Sequence, residues 1–301
     1  RTILWPASSG YRPAGGGFAA GWPRVSAVHE DVHTFPDLTG RWNAYALGRG
    51  ALEPTGEVLR FATVDTTRRQ VANAQIDDYQ RLPRRRFPWR PPLTLTVRAR
   101  FSHPEGSLCG TAGFGFWNDP FMMTGFRPPV LPRAIWFFYA SSPSDMKLDL
   151  HAPGCGWKAA TIDALRPAAI PWALAAPLAV PLMNVRPLYR RLWPSIQRSL
   201  GICESPLAVE MTAWHTYVIE WGTRTARFTV DGERVLACAA SPGGPLGFVA
   251  WVDNQYLAIT PWGRFRYGWL DVPGRQWMEV FSLDIVPSAE VDQPGLALGG
   301  E

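Results

Sequence analysis

The sequence predicts an all-β protein built as an antiparallel sandwich, and three observations lead there. Leu93 to Phe101 alternates strictly, with Leu93, Leu95, Val97, Ala99 and Phe101 apolar and Thr94, Thr96, Arg98 and Arg100 polar. That is the pattern of a strand with one buried and one solvated face. Trp214 to Gly232 reads as strand, turn, strand, turn. His215, Tyr217, Ile219 and Trp221 share one face, Ala226, Phe228 and Val230 follow, and Asp231-Gly232 offers the positive-φ pair of a tight hairpin. Finally, 29 Pro and 28 Gly in 301 residues imply frequent turns, which suit short strands joined by loops.

Taken in order, residues 1–40 read as an irregular Gly- and Pro-rich arm, ordered only where Trp5, Phe18 and Trp22 cover a surface. One domain, residues 41–286, follows. Strands are predicted over 42–47, 57–64 and 72–79. A basic loop carries Arg81, Arg84, Arg85, Arg86 and Arg90. It reads as a solvated loop, or as a contact for phosphate, acidic sugars or a membrane surface. No nucleic-acid-binding motif accompanies it, so no nucleic-acid partner is expected. After 93–101, strands are predicted over 110–117, 133–141 and 145–151.

Residues 152–208 do not alternate and read as a helical insertion. The segment 164–183 is apolar apart from Arg166, but it contains Pro167, Pro171, Pro177 and Pro181. Interior prolines each cost about 3 kcal/mol in a helix, so short helical pieces are expected rather than one membrane-spanning helix. Residues 184–200 read as a helix with a Leu188, Leu192, Ile196, Leu200 stripe, kinked at Pro194. Strands resume at 214, 246–254, 256–260 and 276–286, and 287–301 reads as a loose tail.

The W-H-x-Y-x-x-x-W strand followed by F-T-V-D-G resembles a segment of concanavalin A-like jelly rolls, including laminarinase-type glycoside hydrolases of family 16. TAGFGFW is similar to that family's cleft strand with an alanine-phenylalanine-tryptophan run, and QWMEVFSLDIV to its closing strand. The resemblance spans roughly 90–150 and 212–286. It implies a jelly roll with a concave cleft, and an E-x-D-x-E strand placed after the cleft strand, holding nucleophile and general acid/base. Here that position is RAIWFFYAS, without an acid. The resemblance therefore implies the scaffold and not retaining hydrolysis.

Candidate chemistry lies elsewhere. Asp145, Lys147, Asp149 and His151 would share one face of a strand over 145–151. Asp145 and Asp149 would then stand about 13 Å apart, too wide for a glycosidase pair, which needs roughly 5 to 9.5 Å. Asp149 and His151 offer a polarised couple, or a solvated strand face with a salt bridge. Trp117-Asn118-Asp119 and Trp251 to Tyr256 each join an aromatic to carboxylate and amide groups at a strand end. They read as ligand-orienting groups, or as turn residues. The candidate catalytic residues are thus Asp119, Asp149, His151 and Asp253. The candidate ligand-binding residues are Trp117, Asn118, Trp136, Phe138, Tyr139, Trp251, Asn254 and Tyr256. No metal-ligand spacing occurs among His and Cys, and no cofactor is expected.

Three functional readings follow. The first is a jelly-roll binding protein whose aromatic-lined cleft takes a glycan or a lipophilic small molecule. The second is an enzyme on that scaffold, using an Asp acid/base in an apolar pocket for glycoside cleavage or for isomerisation or cyclisation of a hydrophobic substrate. The third is a peripheral membrane or assembly protein that docks through 158–200. Cys155 and Cys203 flank the insertion, and a bridge between them is expected to close its base, alongside the alternative of two free thiols. Such a bridge implies an extracytoplasmic or secreted protein. The start at Arg1 without Met fits a removed leader or a trimmed end.

Overall fold

A computed structural model describes residues 41–120 and 127–288. The strands are β1 (Asn43–Leu47), β2 (Gly50–Thr55), β3 (Val58–Thr66), β4 (Asn73–Asp77), β5 (Leu93–Phe101), β6 (Thr111–Trp117), β7 (Arg133–Ala140) and β8 (Gly156–Asp163). Two helices follow, α1 (Ile170–Leu182) and α2 (Arg186–Ser199). The chain then continues through β9 (Cys203–Pro206), β10 (His215–Trp221), β11 (Ala226–Val230), β12 (Glu233–Cys238), β13 (Gly247–Asp253), β14 (Gln255–Ile259), β15 (Phe265–Trp269) and β16 (Val272–Pro287).

Two seven-stranded antiparallel sheets face each other. The first runs β1-β4-β13-β6-β7-β8-β9 and the second β12-β11-β10-β5-β16-β3-β2, while β14 and β15 form a separate hairpin. Each sheet draws strands from both sides of the helices. The architecture is a concanavalin A-like jelly roll with a helical insertion. The predicted arm, 1–40, and the tail beyond Ser288 lie outside the described residues.

The alternation in β5 becomes burial: Leu93, Leu95, Val97, Ala99 and Phe101 are all in the core between the sheets. β5 pairs on one side with β10, Val97 opposite Tyr217, and on the other with β16. The β11–β12 turn has the backbone its Asp-Gly predicts, with φ of 50° at Asp231 and 83° at Gly232. The core centre is aromatic. Phe137 meets Tyr217 at 5.0 Å and Phe228 at 5.3 Å between ring centroids, and Phe114 meets Tyr217 at 5.3 Å. Edge-on contacts of this kind suit the ring quadrupole.

Four expectations need correction. Residues 145–151 are not a strand; they form a loop with one bridge, Asp145 to Ala258. Pro143 before it and Pro153-Gly154 after it break the pairing that the alternation suggested. The insertion is shorter than 152–208, because 156–163 and 203–206 are the last two strands of the first sheet, so the helical excursion occupies 164–202. The buried seam of α2 is Tyr189, Trp193 and Ile196, with Leu192 and Leu200 only partly covered and Leu188 outside it. The fourth concerns the bridge. Cys203 is bonded to Cys238, not to Cys155, with Cα atoms 6.0 Å apart. Cys155 and Cys109 are free thiols. The bond ties the edge strand β9 of the first sheet to the edge strand β12 of the second, closing one open side of the sandwich.

Candidate aromatic face on the first sheet

The outward face of the first sheet is set by strand parity. Phe114, Phe116, Ile135, Phe137, Phe248 and Ala250 point into the core. Their neighbours Trp117, Ala134, Trp136, Phe138, Val249 and Trp251 form a second apolar cluster on the other side. Register places Trp251 and Phe138 on either side of Gly113, and Val249 and Trp136 on either side of Gly115. A Cβ at Gly115 would stand 2.6 Å from Trp136 Cα, and one at Gly113 would stand 3.2 Å from the Trp251 ring. The two glycines thus form a trough into which large neighbouring rings settle.

Four rings make a continuous plaque. Trp117 and Trp251 are 6.5 Å apart and 8° from parallel. Trp136 and Phe138 stack at 5.2 Å and 22°. Trp136 lies 5.8 Å from Trp117 and 5.7 Å from Trp251. Trp117 and Trp251 are only 8% and 7% exposed, while Trp136 and Phe138 are half-buried. Both deep indoles have polar anchors: Trp117 Nε1 donates to Tyr79 Oη at 2.6 Å and Trp251 Nε1 to Thr111 Oγ1 at 2.8 Å.

Polar groups flank the plaque on both sides. On β4, Asn73 Nδ2 donates to Gln75 Oε1 and Gln75 Nε2 to Asp77 Oδ2, forming a buried ladder in register with Asp253, Trp251 and Val249. Burial raises the Asp77 carboxyl above its ordinary range. Asn73 Oδ1 has no hydrogen-bond partner among the described residues. Beyond Phe138, the buried Lys158 pairs with Glu204 at 3.3 Å and donates to Pro153 O at 2.5 Å. Burial, the larger influence, raises the Glu204 carboxyl, with Lys158 opposing it. Sequence reasoning missed these groups. A buried lysine and a fully buried strand leave no alternation to read.

Of the candidate ligand-binding residues, Trp117, Trp136, Phe138 and Trp251 meet on this face. Tyr139 does not. It belongs to the core, where its hydroxyl donates to Leu108 O at 2.8 Å, because residue 139 has the opposite parity to 136 and 138. Asn118 and Asn254 act as backbone staples. Asn118 accepts from Arg133 N and donates to Leu131 O. Asn254 accepts from Ala72 N and donates to Thr67 O, Gln70 O and Leu270 O. A cavity of about 100 Å³ beside that staple, lined in part by Thr66, Thr67 and Ala72, is away from the rings. Tyr256 is on β14, in the separate hairpin, close against Gly268.

The candidate catalytic residues are not gathered. Asp119 is fully buried, with φ of 48°, and pairs with Arg127 Nη1 at 2.9 Å. Asp253 accepts from Thr111 N, Thr111 Oγ1, Gln255 N and Gln255 Nε2 at 2.9 to 3.0 Å. Burial still pushes its pKa up to about 6. Asp149 is held in the 145–151 loop, where it accepts from Gln197 Nε2 and from the His151 backbone N–H at 2.7 Å. The Asp149–His151 contact therefore runs through the backbone and not through the imidazole, and His151 is exposed. Among the described residues, no three His, Cys, Asp or Glu side chains come together as metal ligands.

The fold is a concanavalin A-like jelly roll, and the outward face of its β7 carries Ala134, Trp136 and Phe138 and no acid. No family model matches the chain, and no curated protein matches it. Among solved structures it is similar to a GlcNAcα1-4Gal-releasing endo-β-galactosidase from Clostridium perfringens, at 13% identity and a TM-score of 0.48. That match covers 88% of this chain and 62% of the other, so the chain spans under two thirds of that protein's length. An immunostimulatory antigen and pseudo β-1,3-glucanase of Mycobacterium tuberculosis is similar at 11% identity, covering 85% of this chain and 94% of that one, with a TM-score of 0.46. The Bacillus licheniformis β-glucanase matches at 10% identity, covering 83% and 94%, with a TM-score of 0.43.

Proposed function

We propose that this chain is a glycan-binding jelly roll that receives a saccharide on Trp136 and Phe138 and does not cleave it by a two-carboxylate mechanism. The carrying observation is the ring plaque on the outward face of β7, where Trp136 and Phe138 are the half-buried members and Trp117 and Trp251 the deep ones. A sugar ring offers flat C–H faces to aromatic rings and hydroxyls to amides and carboxylates around them. The Asn73–Gln75–Asp77 ladder on one side and Lys158–Glu204 on the other border the rings, buried and hydrogen-bonded within the protein.

Against the enzymatic reading, Asp77, Asp253 and Glu204 on this side of the sheet have buried side chains that are hydrogen-bonded to protein groups. Asp119 is neutralised by Arg127, and Asp253 is enclosed by four donors. Localisation outside the cytoplasm is supported by the Cys203–Cys238 bond, since disulfides persist in oxidising compartments. A panel of immobilised β-linked oligosaccharides tests the reading, with a reducing-end assay run on the same ligands. Binding without turnover is expected. Turnover abolished by Asp253→Asn or Asp119→Asn in a protein that stays folded would overturn the non-catalytic part. Binding of lipophilic probes only would overturn the glycan part.

A further inference from the structure

Helix α1 turns four large aliphatic side chains outward. All of its residues are apolar, IPWALAAPLAVPL, and none is buried. The exposed ridge is Ile170, Pro171, Leu174, Pro177, Leu178, Pro181 and Leu182. Its four large aliphatic side chains fall at i, i+4, i+8 and i+12, on one face of the helix. They are 58%, 79%, 76% and 44% exposed in that order. The opposite side carries Trp172 and small residues such as Ala179, which pack against the α2 cluster. Trp172 Nε1 also donates to Ser199 Oγ at 3.1 Å. The helix is thus held to the body by its Trp172 side, and its four large aliphatic side chains meet water. A ridge of this kind is a docking surface.

Charge selects the occupant. Residues 164–202 contain no Asp or Glu and five arginines: Arg166, Arg186, Arg190, Arg191 and Arg198. The four on α2 are exposed. A second copy of the chain, docked through the same ridge about a two-fold axis, would bring arginines toward arginines with no acid between them. An anionic membrane satisfies both features. Aliphatic side chains enter the acyl boundary, and guanidinium groups meet lipid phosphates. Thirteen residues make a helix of about 20 Å, shorter than a hydrocarbon core, and no helix among the described residues is long and apolar enough to cross a membrane. We infer that α1 lies in the plane of an anionic lipid surface, with the α2 arginines as its electrostatic rim. This goes beyond glycan binding and does not depend on it.

The test is co-sedimentation of the full chain with vesicles of phosphatidylcholine alone, and of phosphatidylcholine with about a third phosphatidylserine. Partition to the anionic vesicles is expected to exceed that to the neutral ones by about tenfold and to fall with added salt. Leu174→Ser with Leu178→Ser, and separately Arg190→Glu with Arg191→Glu, should each reduce it by about tenfold or more. All four positions are exposed, so near-UV circular dichroism should be unchanged. Failure to bind anionic vesicles would overturn the inference, as would wild-type binding by both variants. A dimer in light scattering that Leu174→Ser with Leu178→Ser converts to monomer, without vesicle binding, would assign the ridge to a second copy instead.

Discussion

Trp136 and Phe138, two residues apart on β7, stack at 5.2 Å on the outward face of the first sheet. β7 has no acidic residue, so ring contact and not a carboxylate of this strand occupies the centre of the face. Trp136→Ala is expected to weaken saccharide binding by about tenfold or more, because an aromatic anchor at a binding site typically carries over 1 kcal/mol. The inward Trp157, fully buried between the sheets, provides the contrast. Trp157→Ala should cost about 3 to 5 kcal/mol of stability through a core cavity, read by urea denaturation.

Asp119 and Arg127 form a buried structural pair. Arg127 also donates to the carbonyls of Tyr79, Gln80 and Leu82. Arg127→Gln should therefore destabilise the protein by about 3 kcal/mol or more, since it strips partners from a buried carboxylate and from three carbonyls. Asp119→Asn should also lower the urea midpoint. A catalytic Asp119 would instead leave the midpoint unchanged and abolish turnover.

Cys203 and Cys238 are 35 positions apart, and the loop-entropy account gives their bond about 4 kcal/mol. Cys203→Ser with Cys238→Ser should lower the thermal midpoint markedly. Cys155→Ser, which removes a free thiol, should leave it within about a degree or two. Thiol titration of the unfolded, unreduced protein should find two free thiols.

Stability should decline as pH rises from about 4 to about 7. Burial raises Asp253 to about 6 and Asp78 to about 7, against an ordinary value of 3.8. Across that window the folded state holds protons on these groups that the unfolded chain has released, so rising pH favours unfolding. The Asp253 contribution is about 3 kcal/mol. Urea midpoints at pH 4, 5.5 and 7 measure the slope, and Asp253→Asn should flatten it.

What could be read from the chain depended on pattern length. β5 and the β10–β11 hairpin were legible because nine alternating residues, or an Asp-Gly turn between apolar runs, fix parity and register together. β8 was not, because WKAATI has no alternation and its lysine is buried by a partner, Glu204, 46 positions away. β9 is four residues long and ends in Pro206. The 145–151 segment erred in the other direction: it alternates, yet has no neighbour to pair with beyond one bridge. Alternation along β7 puts Trp136 and Phe138 on one face, and it was the resemblance to family 16 that made this face the expected cleft. Tyr139, assigned to the same face, breaks that alternation. The Asn73–Gln75–Asp77 ladder stayed hidden because polar side chains at alternate positions read as solvated until a neighbouring strand buries them. Cysteine pairing depended on which edge strands meet, which only the assembled sandwich defines.

The central claim is that the face of β7 binds a glycan. Isothermal titration of the wild-type chain with the saccharide that binds best in the oligosaccharide panel tests it most directly, alongside Trp136→Ala and Phe138→Ala at matched folded fraction. The account predicts one site per chain in the wild type, quenching of tryptophan fluorescence on binding, and a loss of about tenfold or more in each variant. Unchanged affinity in both variants, or no saccharide bound by a fully folded wild-type protein, would contradict it.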